Sequence, residues 1–114
     1  MVNDHDWLTE FPGAVTVCDE RGTIVQMNDR AAMSFAGDGG RALIGSDVRS
    51  CHPEAARAKL ETLFEHRRPN VYTIRKQGVR KLIFQSPWYR EGRFAGIVEL
   101  SLQIPDEIPE FIRE

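Results

Sequence analysis

The chain has 114 residues, 41% hydrophobic and 28% charged, which is enough for one domain with a core and too apolar for disorder along its whole length. Its net charge of −2, with basic and acidic residues interspersed, gives no basic face for nucleic acid, and no apolar run is long enough to cross a membrane. Two cysteines and an N-terminus without a signal pattern lead us to expect a reduced, cytoplasmic protein.

Residues 1–13 are predicted to form a short amphipathic segment ahead of the domain. Trp7 and Phe11 are one helical turn apart, with Leu8 beside Trp7, and a proline-glycine pair ends the run. An apolar segment of this kind needs a surface to pack on. We therefore expect Trp7, Leu8 and Phe11 either to form a homodimer contact or to cover their own domain.

The next segment, AVTVCDERGTIVQMN at residues 14–28, has two β-branched runs on either side of a polar turn. This pattern predicts a β-hairpin that turns between Asp19 and Gly22. Asn28 follows the second strand and is a good N-cap for a short helix over DRAAMSF. Residues 36–50 contain four glycines and little periodicity, so we expect a loop with broken helical turns.

The longest predicted helix begins within RSCHPEAARAKLETLF, residues 49–64. A residue before proline avoids the helical region, and proline suits the first helical position, so we predict His52 as the N-cap and Pro53 as the first helical residue. The apolar positions that share one face are Ala56, Leu60, Leu63 and Phe64. The helix should end near Arg67, before Pro69.

After Pro69 the sequence predicts three more antiparallel strands, in VYTIRK, RKLIFQSPWY and RFAGIVELSLQI. Two sets of alternating residues are predicted to form the wall that faces the helices: Leu82, Phe84, Ser86 and Trp88, and Val98, Leu100 and Leu102. The element order predicts an α+β domain over residues 14–104, in which a five-stranded antiparallel sheet carries helices on one face. Residues 105–114 are then a C-terminal tail.

Two motifs carry a resemblance to a known family. One has the form D-x-x-G-x-I-x-x-x-N and the other L-I-G-x-x-V-x-x-x-H-P, at Asp19, Gly22, Ile24, Asn28 and at Leu43, Ile44, Gly45, Val48, His52, Pro53. In this order and spacing they resemble a PAS domain over roughly residues 12–104, and the C-H-P-E form resembles a group of bacterial and archaeal PAS sensor modules. The resemblance implies a five-stranded sheet, helices that enclose a pocket, and a sensory role. It does not imply one ligand, because PAS domains hold haem, flavin, small metabolites or nothing.

The favoured hypothesis is a non-catalytic sensory module that binds a small ligand or a protein partner in signal transduction. The pocket candidates are Val17, Met27, Met33, Phe35, Cys51, His52, Leu60, Leu63, Phe64, Phe84, Trp88, Val98 and Leu100. The alternative is a structural homodimerisation or interaction domain with no ligand, whose core is filled by Met27, Met33, Phe35 and Phe64. Pro105 and Pro109 prevent a continuous helix after the last strand, so we expect the output partner to lie outside this chain.

His52 is the one candidate haem ligand, because some PAS sensors bind haem through a histidine on the long helix. A local role for His52 at the start of the helix is favoured over haem ligation. We therefore expect first that the domain binds no cofactor. The cysteines and histidines lack the paired spacing of a zinc site, and no motif for flavin photochemistry or for a cysteine nucleophile is present. The sequence therefore predicts neither a metal site nor an enzyme.

Overall fold

The computed structural model describes residues 6–114, apart from the side chain of Cys51. The elements are α1 (Asp6–Thr9), β1 (Ala14–Asp19), β2 (Ile24–Met27), α2 (Asp29–Ser34), three 3-10 turns (Ala36–Asp38, Gly40–Leu43, Val48–Cys51), α3 (Glu54–His66), β3 (Asn70–Lys76), β4 (Val79–Arg90) and β5 (Arg93–Gln103). The predicted order of two strands, helical material and three strands is confirmed, as is the α+β class. Of the predicted N-terminal segment, residues 1–5 lie outside the described part. Within residues 6–114, no helix has the length and apolar character that crossing a membrane requires.

The five strands form one sheet in the order β2-β1-β5-β4-β3, and every neighbouring pair is antiparallel. The N-terminal hairpin joins the C-terminal strands through β1 and β5, with Val17 opposite Val98 and Cys18 opposite Ile97. The first and last strands therefore meet in the middle of the sheet. The long crossover between β2 and β3 carries all of α2 and α3.

Asn28 is the N-cap of α2, as predicted. Its Oδ1 accepts hydrogen bonds from the backbone N–H groups of Ala31 and Val15, and its Nδ2 donates to the carbonyl oxygens of Leu8 and Gly13. One buried side chain thus joins the N-terminal segment, β1 and α2, which satisfies backbone groups that would otherwise be unpaired. This explains why an asparagine ends the hairpin motif.

The hairpin turn is fixed to α3 by Arg49. The Asp19 carboxylate accepts from the backbone N–H groups of Arg21 and Thr23, and a Cβ at Gly22 would lie 2.3 Å from the Arg49 guanidinium. Arg49 in turn donates to the Arg21 carbonyl oxygen and forms an ion pair with Glu61 of α3. Its guanidinium also stacks 4.6 Å from the ring centre of Phe64.

The start of α3 corrects one prediction. Pro53, with ψ of 158°, is the N-cap and has an extended conformation, so the helix begins at Glu54 and His52 is not its cap. His52 is extended as well, as expected of a residue before proline, and it ends the preceding 3-10 turn. The other end is close to the prediction, since α3 stops at His66 and Arg67 takes a left-handed conformation.

Leu60 and Leu63 of α3 are 1% and 2% exposed and pack in the core. This core contains Cys18, Ile24, Met27, Ala31, Val48, Leu60, Leu63 and Ile97, with Phe35 and Phe64 at its edge. Leu60, Leu63 and Met27 are therefore buried as predicted, whereas Ala56 and Phe64 of the predicted inward face of α3 are only half-buried. Met33 is 70% exposed, so its predicted place in the core is wrong: it lies on the solvent side of the short helix α2.

The predicted face of the sheet is also wrong. Cys18 and Ile97 pack with Leu60, so the residues that alternate with them point away from α3. The side chains on this outer face include Val17, Phe84, Trp88, Val98 and Leu100, which are half-buried. The inner face carries Thr16, Cys18, Ile83, Gln85, Ile97, Glu99 and Ser101. The prediction placed the more apolar face of the strands toward the helices. In the structure the face toward the helices contains polar residues, and the outer face is mostly apolar.

Candidate functional site

The candidate site is a cleft of about 530 Å³ between the inner face of the sheet and the N-terminal part of α3. Its apolar walls include Phe35, Ala55, Ala56, Ile74 and Ile83. Its polar lining includes Thr16, His52, Tyr72, Lys76, Lys81, Glu99 and Ser101. The volume is in the range of small-molecule sites, which are commonly apolar with a few convergent polar groups.

A chain of polar side chains crosses the inner face of the sheet at one end of the cleft. Gln85 lies on β4 with Asn70 of β3 and Glu99 of β5 as its cross-strand partners. Asn70 Nδ2 donates to Gln85 Oε1 at 2.9 Å, and Gln85 Nε2 donates to Glu99 Oε2 at 2.6 Å. His52 Nε2 lies 3.5 Å from the same carboxylate oxygen. This row of hydrogen-bonded side chains therefore links the loop before α3 to the strands β3, β4 and β5.

His52 is held in place on both sides of its ring. Its Nδ1 is 2.8 Å from the Val48 carbonyl oxygen, which can only accept, so Nδ1 carries a hydrogen. The Phe35 ring lies 6.1 Å away, centre to centre. When Nε2 is also protonated, the imidazolium forms an ion pair with Glu99.

Glu99 stays ionised in spite of its burial. Burial alone would raise the pKa of this carboxyl group, but the hydrogen bonds from His52 and Gln85 hold the pKa below its ordinary value of 4.5. The side chain is 18% exposed, so a part of the carboxylate reaches the cleft. The inner end of the cleft therefore carries an ionised carboxylate, which is paired with His52 when that imidazole is protonated.

The space between α3 and the centre of the sheet is closed. A void of only about 10 Å³ lies among Cys18, Leu60, Ile97 and their neighbours. This volume is too small for a ligand larger than about one water molecule. A small molecule of metabolite size therefore does not fit in the interior beneath α3.

The sequence-predicted pocket residues separate into several groups. Phe35 and His52 line the cleft, and Leu60 lines the small void beneath it. Met27 and Leu63 are buried in the core, and Phe64 packs edge-on against Phe94. The rest do not reach the cleft: Val17, Phe84, Trp88, Val98 and Leu100 lie on the outer face and Met33 is exposed. The side chain of Cys51 lies outside the described part of the molecule, so its predicted place in the pocket stays a prediction.

Sequence reasoning missed Glu99, Gln85, Lys81 and Ser101. The available signal was a polar residue set between apolar ones, as in Val-Glu-Leu at Glu99 and Phe-Gln-Ser at Gln85. Polar residues in the central strands of a sheet need partners, and partners gathered on one face mark a candidate site.

Cys18 has no reactive character. Burial raises the pKa of this thiol to about 11, so it is fully protonated at neutral pH. Among the described side chains, no three of the histidine, cysteine, aspartate and glutamate type are grouped so that they could hold a metal ion.

The N-terminal segment uses its apolar residues in two ways. Leu8 is 7% exposed and packs on its own domain, whereas Trp7 is 68% exposed. Phe11 is 36% exposed, its ring lies edge-on 6.0 Å from that of Trp7, and it borders Leu102 of the outer face near Gly13. The predicted interface residues thus include one that covers the domain and two that reach solvent.

Comparisons with known proteins identify the fold. Neither a family model nor a curated protein matches the chain. Among solved structures, the PAS domain of Bordetella pertussis BvgS is 20% identical, with a TM-score of 0.66 over 87% of this chain and 82% of that one. The PAS domain of the histidine kinase ThkA is 20% identical, with a TM-score of 0.64 over 79% and 97%. The Aer2 receptor of Vibrio cholerae, described as a dual PAS-heme oxygen sensor, is 15% identical, with a TM-score of 0.58 over 82% and 95%.

Proposed function

We propose that this chain, which has the PAS fold, is a non-catalytic sensory module whose signal is a small molecule bound in the lateral cleft. The observation that carries the proposal is the cleft itself, which combines apolar walls with the ionised Glu99 and its partners His52 and Gln85. A structural domain has no need of a partly exposed carboxylate at the end of an apolar cleft, because burying a charge is unfavourable. The output partner is a signalling protein or domain outside this chain.

The position of the cleft supports signal transmission. Glu99 lies on β5, the strand that pairs with both β1 and β4, and β1 connects through Gly13 to α1. A ligand that changes the Glu99 hydrogen bonds thus acts on the strand between the two hairpins. Two of the similar solved structures are named for signalling proteins, the histidine kinase ThkA and the Aer2 receptor, which supports a sensory role for this fold.

Blocking the cleft tests this proposal. Ala56 is half-buried and lines the cleft, whereas Ala58 is exposed on the same helix and does not line it. Melting temperatures are measured for the wild type, Ala56→Trp and Ala58→Trp with a panel of small amino acids, carboxylic acids, amines and nucleosides. Ligands that bind only the folded state raise the melting temperature.

We expect at least one class of compound to stabilise the wild type and Ala58→Trp but not Ala56→Trp. Circular dichroism establishes that both variants fold. If no class stabilises the wild type more than Ala56→Trp, the ligand-sensing proposal is wrong.

A second candidate function is homodimerisation, which we propose because two neighbouring aromatic side chains, Trp7 and Phe11, are exposed. Phe11 lies near Leu102 of the outer face and Trp7 packs edge-on against Phe11, and large aromatic side chains are the usual anchors of interfaces. A second copy that places its own pair here would cover both rings, since a two-fold contact uses the same patch twice. The packed space under α3 also supports a domain that acts through its surface.

Mass measurement by light scattering tests the dimer. Trp7→Ala should convert a dimer to a monomer, whereas Ile44→Ala, at another exposed apolar residue, should leave the mass unchanged. A monomeric wild type, or a Trp7→Ala variant that keeps the dimer mass, would rule out this interface.

Haem sensing through His52 is not supported by this arrangement. Both ring nitrogens are engaged, Nδ1 with the Val48 carbonyl oxygen and Nε2 with Glu99. Iron ligation by Nε2 would break the ion pair and leave the carboxylate of Glu99 with fewer partners in a buried position. The residues around His52 therefore do not fit a haem ligand.

A further inference from the structure

We infer that the cleft binds a small zwitterion of the α-amino-acid type, with its ammonium group on Glu99 and its carboxylate on a lysine at the mouth. The inference rests on the proposed sensory function and specifies the ligand class of the same cleft. It follows from the distribution of charge along the cleft, from the hydrogen bonds of Glu99, and from the apolar walls between the charges.

The cleft has opposite charges at its two ends. Glu99 lies opposite Gln85, and Lys81 is four residues from Gln85 along β4. Because strands rise about 3.4 Å per residue, the α-carbons of Glu99 and Lys81 are roughly 14 Å apart. Lys81 lies opposite Ile74, and Lys76 follows two residues further along β3, so both lysines belong to the end of the cleft away from Glu99.

The span between the charges suits one small zwitterion. Both side chains extend from their α-carbons, so a carboxylate-to-ammonium separation of about 8 Å is within reach of flexible lysine. An α-amino acid with a charge-assisted hydrogen bond of about 2.8 Å at each end spans roughly the same distance.

Glu99 has an oxygen for the ammonium group. Within the part of the chain that the structure describes, both contacts of the carboxylate, from Gln85 and His52, are made to Oε2. Oε1 is the remaining acceptor on a carboxylate that lines the cleft. A hydrogen bond between an ionised carboxylate and an ammonium group is stronger than a hydrogen bond between two neutral groups.

The charge pattern argues against ligands with a single charge. A simple carboxylic acid that fills the cleft meets repulsion from Glu99 or gives no donor to its Oε1, and a simple amine forms no ion pair with either lysine. The walls between the charges, including Ile83, Ala55 and Ala56, favour an apolar side chain on the ligand. Tyr72 and Ser101 supply further polar groups beside this apolar surface.

Two matched sets of probes test the class by titration calorimetry. The first is leucine, isocaproic acid (leucine without its amine) and isopentylamine (leucine without its carboxylate). The second is phenylalanine, hydrocinnamic acid and phenethylamine, which covers a larger side chain. We expect at least one amino acid to bind about tenfold or more tightly than both of its single-charge analogues.

The variants assign each charge to its residue. Glu99→Gln should weaken the binding of the amino acid and of the amine by about tenfold or more, without weakening the binding of the acid. Lys81→Met should weaken the binding of both the amino acid and the acid. Glu65→Gln and Lys59→Met, at exposed residues of α3 that do not line the cleft, should change none of these affinities. Lys81→Met keeps the test decisive if Glu99→Gln does not fold.

Several results would overturn the inference. These are equal affinity for an amino acid and its deaminated analogue, no binding of either amino acid, or undiminished amino-acid binding by Lys81→Met. The sensory proposal has a separate outcome, because a nucleoside or another class that binds the wild type but not Ala56→Trp keeps that proposal and excludes the zwitterion.

Discussion

Replacing Gly96 with alanine is expected to disrupt the centre of the sheet. Gly96 lies on β5 between Asp19 of β1 and Trp88 of β4, with a φ of +144°. A Cβ at this position would be 1.9 Å from the Cys18 carbonyl oxygen and 2.8 Å from the Asp19 carbonyl carbon. The same Cys18 oxygen accepts the indole hydrogen bond of Trp88 at 3.0 Å.

The magnitude follows from these distances. Since carbon and oxygen atoms ordinarily approach no closer than about 3.3 Å, β1 and β5 must separate locally by roughly 1.4 Å. This movement lengthens the Trp88–Cys18 hydrogen bond and at least one backbone bond, and each loss costs about 0.5–1.5 kcal/mol. The strained φ adds about 1–3 kcal/mol for a residue with a side chain. We expect a total of roughly 2–6 kcal/mol, a large share of the 5–15 kcal/mol by which domains are typically stable.

Urea denaturation of Gly96→Ala and Gly92→Ala measures the effect. Gly92 has a φ of +79°, but a Cβ there meets no heavy atom within 4 Å, so this control measures the backbone strain alone. It should cost about 1–2 kcal/mol. If Gly96→Ala is no less stable than Gly92→Ala, the close approach of β1 and β5 is not as described and the reasoning fails.

Three further predictions concern α3 and the cleft. Leu60→Ala and Leu63→Ala should each lower the free energy of unfolding by about 2–5 kcal/mol, and an unchanged urea midpoint for either would contradict its burial. Because the folded pKa of Glu99 is depressed, its stabilising contribution is present above the ordinary pKa of 4.5 and is lost as the pH falls through the folded pKa. The stability of the wild type relative to Glu99→Gln should therefore decline below about pH 4.5, and a constant difference during acid titration would oppose this. Added haem should give no Soret band that depends on His52, as absorbance spectra of the wild type and His52→Gln can show; a stoichiometric, His52-dependent band would contradict the assignment of its ring nitrogens.

The sequence by itself determined the local elements. Asp19 and Gly22 specify the hairpin turn, and Asn28 specifies the end of β2 and the start of α2, because these residues act through hydrogen bonds to nearby backbone. Leu60 and Leu63 identify the buried face of α3, because helical spacing alone places them together. Such signals need no knowledge of the rest of the chain.

Only the tertiary structure decided which face of the sheet meets the helices. Strand periodicity separates the two faces but does not say which one is inward, and here the outer face is the more apolar of the two around Phe84 and Leu100. The meeting of His52 with Glu99 also depends on the pairing of β1 with β5, which joins distant parts of the chain. The cleft and its charges result from these long-range pairings, whose geometry no local pattern contains.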